Sequence, residues 1–185
     1  MHKAVIIGGS AGSFRVITRI LHALPKNFPL PVLLNLHRLK HVRSGFVEAL
    51  SIKSNIPVIE PYDKESIKAG TAYLAPSNYH MYIELNKKIA LSTEEAVNHS
   101  RPSIDLSFET AAHTYQRNLL GIILSGANKD GARGLKKIKD SGGTAIVQDP
   151  KECEVATMTE AALKMTQVDH VFSTQQIIDY LLKIK

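Results

Sequence analysis

Ala4-Val5-Ile6-Ile7-Gly8-Gly9-Ser10-Ala11-Gly12, followed by Val16, Ile17, Ile20, Leu21 and Leu24, is the stretch that decides the fold. Ala4 to Ile7 is a continuous apolar run of strand length, as expected of a strand covered on both faces. The glycines make a sharp turn. The apolar residues after it recur at helical spacing until Pro25 closes the segment. The same unit repeats down the chain. Val32–Leu36, Val58-Ile59, Ala72–Leu74, Gly121–Leu124 and Ala145–Val147 read as strands. Between them, Val42, Phe46, Val47 and Leu50 mark a helix, as do Ile104, Phe108, Ala111, Ala112 and Tyr115 after Pro102, and Leu135 with Ile138. Tyr79–Leu85 and Ile89–Leu91, joined through Asn86-Lys87-Lys88, break the rhythm and predict a β-hairpin at a sheet edge. Thr157 with Glu160 and Ser173 with Gln176 have the spacing of helix capping boxes. The expected fold class is α/β: a doubly wound, mainly parallel sheet with helices on both faces and an antiparallel edge hairpin. Residues 1–185 are expected to form a single domain, with sites beyond the carboxyl ends of the strands.

Bulk properties narrow the class. No apolar run approaches the ~18 residues of a membrane span. The first strand begins next to Lys3, so no signal peptide is expected. With one cysteine, Cys153, an internal disulfide is impossible, and a reducing cytoplasm is the expected location. Cys153 lies between Glu152 and Glu154, which disfavour a thiolate, so it reads as a small buried residue. The net charge is +6, yet residues 1–47 hold seven Lys or Arg and no Asp or Glu, so the remainder sums to about −1. Either an acidic partner faces the N-terminal third or the basic face is simply solvated. Nucleic acid fits poorly, because aromatic residues are 6% of the chain and none is interleaved with the basic cluster.

Gly8-x-Ser10-x-Gly12 has nucleophile-elbow spacing. Flanking glycines allow the turn, and the hydroxyl is left at the positive end of the following helix, where an oxyanion is favoured. An ordinary turn with Ser10 or Ser13 as N-cap, or a phosphate-binding turn, would use the same residues. Dinucleotide binding fails on detail: Gly-x-Gly-x-x-Gly is absent, and the first acidic residue is Glu48. A serine nucleophile needs a base at the same sheet edge, and His37 ends the second strand. Asp130 follows the strand ending at Leu124. It is placed either to cap the next helix or to accept the Nδ1 proton of a histidine.

Taken together, Ile7–Gly12, Leu36-His37, Gly70–Pro76, His80-Met81, Arg101–Asp105, Leu124–Gly126, Asp130–Ala132 and Gly134 resemble the catalytic domain of the chemotaxis protein-glutamate methylesterases, the CheB family. The resemblance covers nearly the whole chain. It implies a serine triad of Ser10, His37 and Asp130 that hydrolyses methylated glutamates on the cytoplasmic helices of chemoreceptors. It also implies that receptor glutamines can be deamidated. Backbone amides near Ala11 and Ala127 are the expected oxyanion donors, and no metal or organic cofactor is expected. Arg15, Arg38, Lys40 and Arg43 either position an acidic receptor segment or are solvated. No membrane insertion and no nucleic-acid partner are expected.

The chain departs from the family pattern at Ala11, Ser13 and Ala127 and over 154–159, which bears on substrate choice and leaves the triad intact. The family's N-terminal receiver domain has no counterpart here. The expectation is a stand-alone esterase, an enzyme controlled by a separate receiver-domain regulator, or an excised domain. The alternatives to a receptor esterase are a carboxylesterase or amidase on another substrate, and an idle interaction module.

Overall fold

Side chains alternate across a strand, and the first strand divides its residues between two cores on that principle. Val5 and Ile7 pack on one face with Ile17, Ile20, Leu21, Ile177 and Leu181. Ala4 and Ile6 pack on the other with Phe108, Ala111, Leu135, Ile138 and Met158. The structure is a computed structural model and describes residues 1–38 and 45–184.

The elements run β1 (Ala4–Gly9), α1 (Ser13–Ala23), β2 (Val32–Leu36), α2 (Phe46–Ser51), β3 (Val58–Ile59), β4 (Ala72–Leu74), β5 (His80–Ile83) and β6 (Ile89–Ser92). Then come α3 (Ile104–Tyr115), β7 (Leu119–Ile123), α4 (Ala132–Asp140), β8 (Thr144–Gln148), α5 (Thr157–Met165), β9 (His170–Phe172) and α6 (Thr174–Leu182). Seven strands form one parallel sheet in the order β3-β4-β2-β1-β7-β8-β9. α1 and α6 cover one face, and α3, α4 and α5 cover the other. This is the doubly wound α/β fold.

Three details differ from the sequence expectation. The hairpin β5–β6 forms, but as a separate two-stranded sheet packed on α3 instead of at the edge of the main sheet. Met81, Ile83 and Ile89 are its buried apolar residues, and burial of the β5 pair under α3 outweighs edge pairing. The true edges are β3 and the short β9, whose alternation over three residues is too brief to stand out. The Ser173–Gln176 capping box is present. The Thr157–Glu160 box is not. Ala156 is the N-cap there, and Thr157 is already helical.

The order of strands places the site. β1 lies between β2 and β7, where the chain's outward winding changes direction, so a crevice opens at their carboxyl ends. Register brings Gly9 opposite Leu36 and Gly8 opposite Ile123. One residue further, the His37 amide donates to Gly9 O at 3.1 Å and the Ser10 amide to Ser125 O at 2.9 Å.

On the far side of the crevice α3 and α4 lie in close contact, and Gly134 is the reason they can. A Cβ at Gly134 would lie 2.5 Å from Phe108 Cβ and 3.0 Å from Asp105 O. Gly134→Ala should therefore destabilise the protein by about 1–3 kcal/mol through overpacking, read as a lower midpoint in urea. An unchanged midpoint would mean the two helices part without cost.

Candidate active site

Ser10 stands between the end of β1 and the left-handed Gly12, which has φ 82° and caps α1. The turn is stapled from outside. Ser125 Oγ donates to Ala11 O at 2.7 Å and accepts the Val155 amide at 3.0 Å. Ser10 Oγ lies 2.6 Å from the Ala11 amide and 3.4 Å from the Ala127 amide. The two amides expected as oxyanion donors therefore converge on one point. The Ser10 hydroxyl occupies that point in the resting arrangement.

His37 extends from β2 with 14% of its side chain exposed, and its Nε2 lies 2.8 Å from Asp130 Oδ2. The Asp130 carboxylate thus accepts a hydrogen bond from Nε2–H, not from the Nδ1–H anticipated from sequence. Nδ1 is left to face the crevice as the ring's free lone pair. Its neighbour there is Asn128 Nδ2 at 3.4 Å, and no hydrogen bond joins His37 to Ser10.

Asp130 is fully buried, and it does not cap its own helix. That position belongs to Gly131, at φ 98°. Asp130 instead crosses to the start of α3. It accepts the amides of Ile104 at 2.7 Å and Asp105 at 3.1 Å, together with Ser103 Oγ at 3.1 Å. Asp105 makes the reciprocal crossing. It accepts the Gly131 amide at 2.9 Å and the Gly134 amide at 2.8 Å at the start of α4, and pairs with Arg133 at 3.1 Å. Each helix's positive end is therefore neutralised by a carboxylate carried on the other segment. Behind them, buried His80 accepts the Ser103 amide on Nδ1 and donates from Nε2 to Glu95 O.

Burial by itself would raise the Asp130 pKa. The hydrogen bond from His37 and the amides of Ile104 and Asp105 outweigh it, so the carboxyl is held below its ordinary range.

The basic residues are scattered. Arg15 is exposed on α1 and lines a cleft of about 670 Å³ with Phe14, Arg19, His22 and Lys53. Arg38 is not open to a ligand as drawn from sequence. Its side chain is 1% exposed, bonds Glu60 and Ala75 O at 2.6 Å each, and lies over Phe46. Lys40 and Arg43 lie outside the described residues. Cys153 is half-buried, and burial pushes its thiol pKa up. Sequence reasoning gave no role to Ser103, Asp105, Ser125 or Asn128. Only Ser103, ahead of an apolar helical run, carried a readable signal as an N-cap.

The CheB methylesterase family model matches residues 5–181. The chain belongs to the CheB methylesterase family. A Leptospira interrogans relative is 43% identical over 183 residues, covering 99% of this chain and 95% of its own. A Thermotoga maritima protein named protein-glutamate methylesterase/protein-glutamine glutaminase is 32% identical over 98% of this chain. The chain spans 54% of that protein's length. The crystal structure of the Thermotoga maritima CheB methylesterase catalytic domain superposes with a TM-score of 0.93 at 32% identity, covering 99% of this chain and 98% of that one.

Asp130's low pKa has a consequence for stability. Its folded-state value lies below the unfolded value near ~3.9, so ionised Asp130 favours the folded state above that pH. The contribution is lost as pH falls below about 4 through the folded-state value. Asp130→Asn should cost about 1–3 kcal/mol at pH 7 and flatten the acid branch of a stability–pH curve from urea melts. Parallel curves for the two proteins would assign that acid sensitivity to other carboxylates.

Proposed function

We propose that this CheB-family chain hydrolyses glutamate methyl esters on chemoreceptor proteins, with Ser10 as nucleophile, His37 as base and Asp130 as the base's orienting carboxylate. The observation that carries the reading is the 2.8 Å His37–Asp130 pair standing at the end of β2, one strand away from Ser10 on a glycine elbow. The chemistry needs these parts in these states. Asp130, ionised by its helix-end donors, keeps the proton on Nε2, so Nδ1 is the nitrogen free to act as base.

Ser10 Oγ turns about χ1 away from the Ala11 and Ala127 amides and gives its proton to Nδ1 as it attacks the ester carbonyl. The two amides it vacates then receive the oxygen of the tetrahedral intermediate, and such donors are each worth ~2.7–4 kcal/mol in a barrier. His37 returns the proton to the methoxy oxygen and methanol leaves. Water, deprotonated by His37, then attacks the acyl-enzyme, and His37 gives that proton to Ser10 Oγ as it leaves, which frees the glutamate and restores the serine. A receptor glutamine enters the same cycle with ammonia as the leaving group, which supports deamidation as a second activity.

The substrate assignment draws on the family and on the named Thermotoga maritima relative. Exposed Arg15, on the first turn of α1, supports an acidic substrate surface. Among the described residues no helix is long and apolar enough to cross a membrane, and we place the chain on the cytoplasmic side, where receptor methylation sites would be met.

The test is methanol release from methylated receptor. The parent protein should release it, and Ser10→Ala should lower the rate by at least ~10³-fold, as removal of a triad nucleophile does. His37→Gln should lose as much. Hydrolysis of small esters with no release from receptors would replace the substrate while keeping the site. Full activity in Ser10→Ala would remove the nucleophile assignment.

A further inference from the structure

Asn128 stands against the one nitrogen of His37 that Asp130 leaves free, and nothing in the cycle above uses it. Its orientation is determined by chemistry on both sides. The Asp130 amide donates to Asn128 Oδ1 at 3.0 Å, so the carboxamide cannot turn its NH₂ that way. Nδ2, a donor only, therefore faces the crevice, with His37 Nδ1 and Ser100 Oγ each at 3.4 Å. Asp130 is an acceptor and Asn128 Nδ2 a donor. Between them the imidazole is satisfied in one form alone, neutral with its proton on Nε2. A proton on Nδ1 would point at the NH₂ of Asn128.

We infer that Asn128 is a positioning residue for the base: its pinned carboxamide holds the His37 ring between itself and Asp130, with the Nδ1 lone pair presented to the crevice and unprotonated. This rests on the reading of His37 as the base. Asn128 acts through His37 and has no bond to Ser10. Both Nδ2 contacts are long, so the Ser10 hydroxyl displaces the amide from Nδ1 when it turns to attack, and Ser100 Oγ keeps Nδ2 partnered.

The charged and titratable groups near the ring, among the described residues, include exposed Lys129 beside Asn128 and Glu154, whose Oε2 lies 3.2 Å from where a Cβ would stand on Gly12. Asp130 touches Nε2, and behind it Asp105 is countered by Arg133. Arg38, next in the chain, is turned away to Glu60. His99 precedes Ser100 on the loop facing Asn128 and is exposed. None of these supplies a second donor to Nδ1, so among the described residues Asn128 alone provides that contact.

Asn128→Asp tests the idea and keeps the fold, because a carboxylate oxygen still accepts the Asp130 amide. It replaces the donor facing Nδ1 by a negatively charged acceptor and so favours the protonated ring. The acid limb of the kcat/KM pH profile on p-nitrophenyl acetate should move up by about 1–2 pH units. The loss relative to the parent should then be at least about tenfold greater at the acid end than on the plateau. Asn128→Ala should move the limb in the same direction by less.

¹⁵N NMR of the parent protein should show His37 with its proton on Nε2 and a lone pair on Nδ1. Superimposed acid limbs in parent and Asn128→Asp would overturn the proposal. So would a parent ring with its proton on Nδ1, a result that needs no variant to fold. Failure to release methanol from receptors would overturn the substrate reading and leave both of these measurements standing.

Discussion

Two carboxylates exchanged between two helix ends hold the site together. Asp130 lies on the first amides of α3, and Asp105, carried on α3, lies on the first amides of α4. A buried carboxylate is costly unless it is well supplied with donors, and here each helix supplies them from its unpaired first turn. The supply serves two ends at once. It keeps Asp130 ionised in a fully buried position, and it locks α3 to α4 at a distance that only Gly134 permits. His37 then has a fixed acceptor behind it. The tautomer of the ring follows from helix packing several residues away from any substrate.

The other half of the site depends on the sheet. Ser10 and His37 are neighbours because β1 and β2 pair in one register, with Gly9 opposite Leu36. A slip of one residue would displace one against the other by ~3.3 Å. Burial on both faces of the sheet prevents it, since a slip exchanges the two sets of core side chains. The rigid partner of the pair is the sheet. The adjustable one is the Ser10 hydroxyl, which rests on the same amides that an oxyanion would need.

What could be read from the sequence depended on whether the governing contact was local. The strands and helices of the two cores are visible as runs and periods, and the residues at three strand ends are visible as candidates. The ring orientation of His37 was not, because it depends on a partner 93 residues away. Asp105 looks like an ordinary acid in a first helical turn, and only the tertiary structure reveals the α4 amides it serves. Arg38 reads as part of a basic cluster until Glu60 and Phe46 are found beside it. The hairpin was recognisable as a hairpin, but its docking on α3 is a matter of what its buried face meets. Asn128 sits in a loop without period, where a side-chain amide gives no pattern at all.

The crossing of Asp105 and Asp130 also sets when during folding the site comes into being. Its parts come from residues 10, 37, 103–105 and 125–130, and contacts of such long range are formed late because loop closure must precede them. No fragment of the chain ending before α4 contains both helix starts. A ribosome-bound nascent chain, or a partly melted one in which α3 has left α4, therefore holds a serine elbow and a histidine without a working relation between them. The relation between Asp130 and His37 therefore exists only where α3 and α4 are docked on each other.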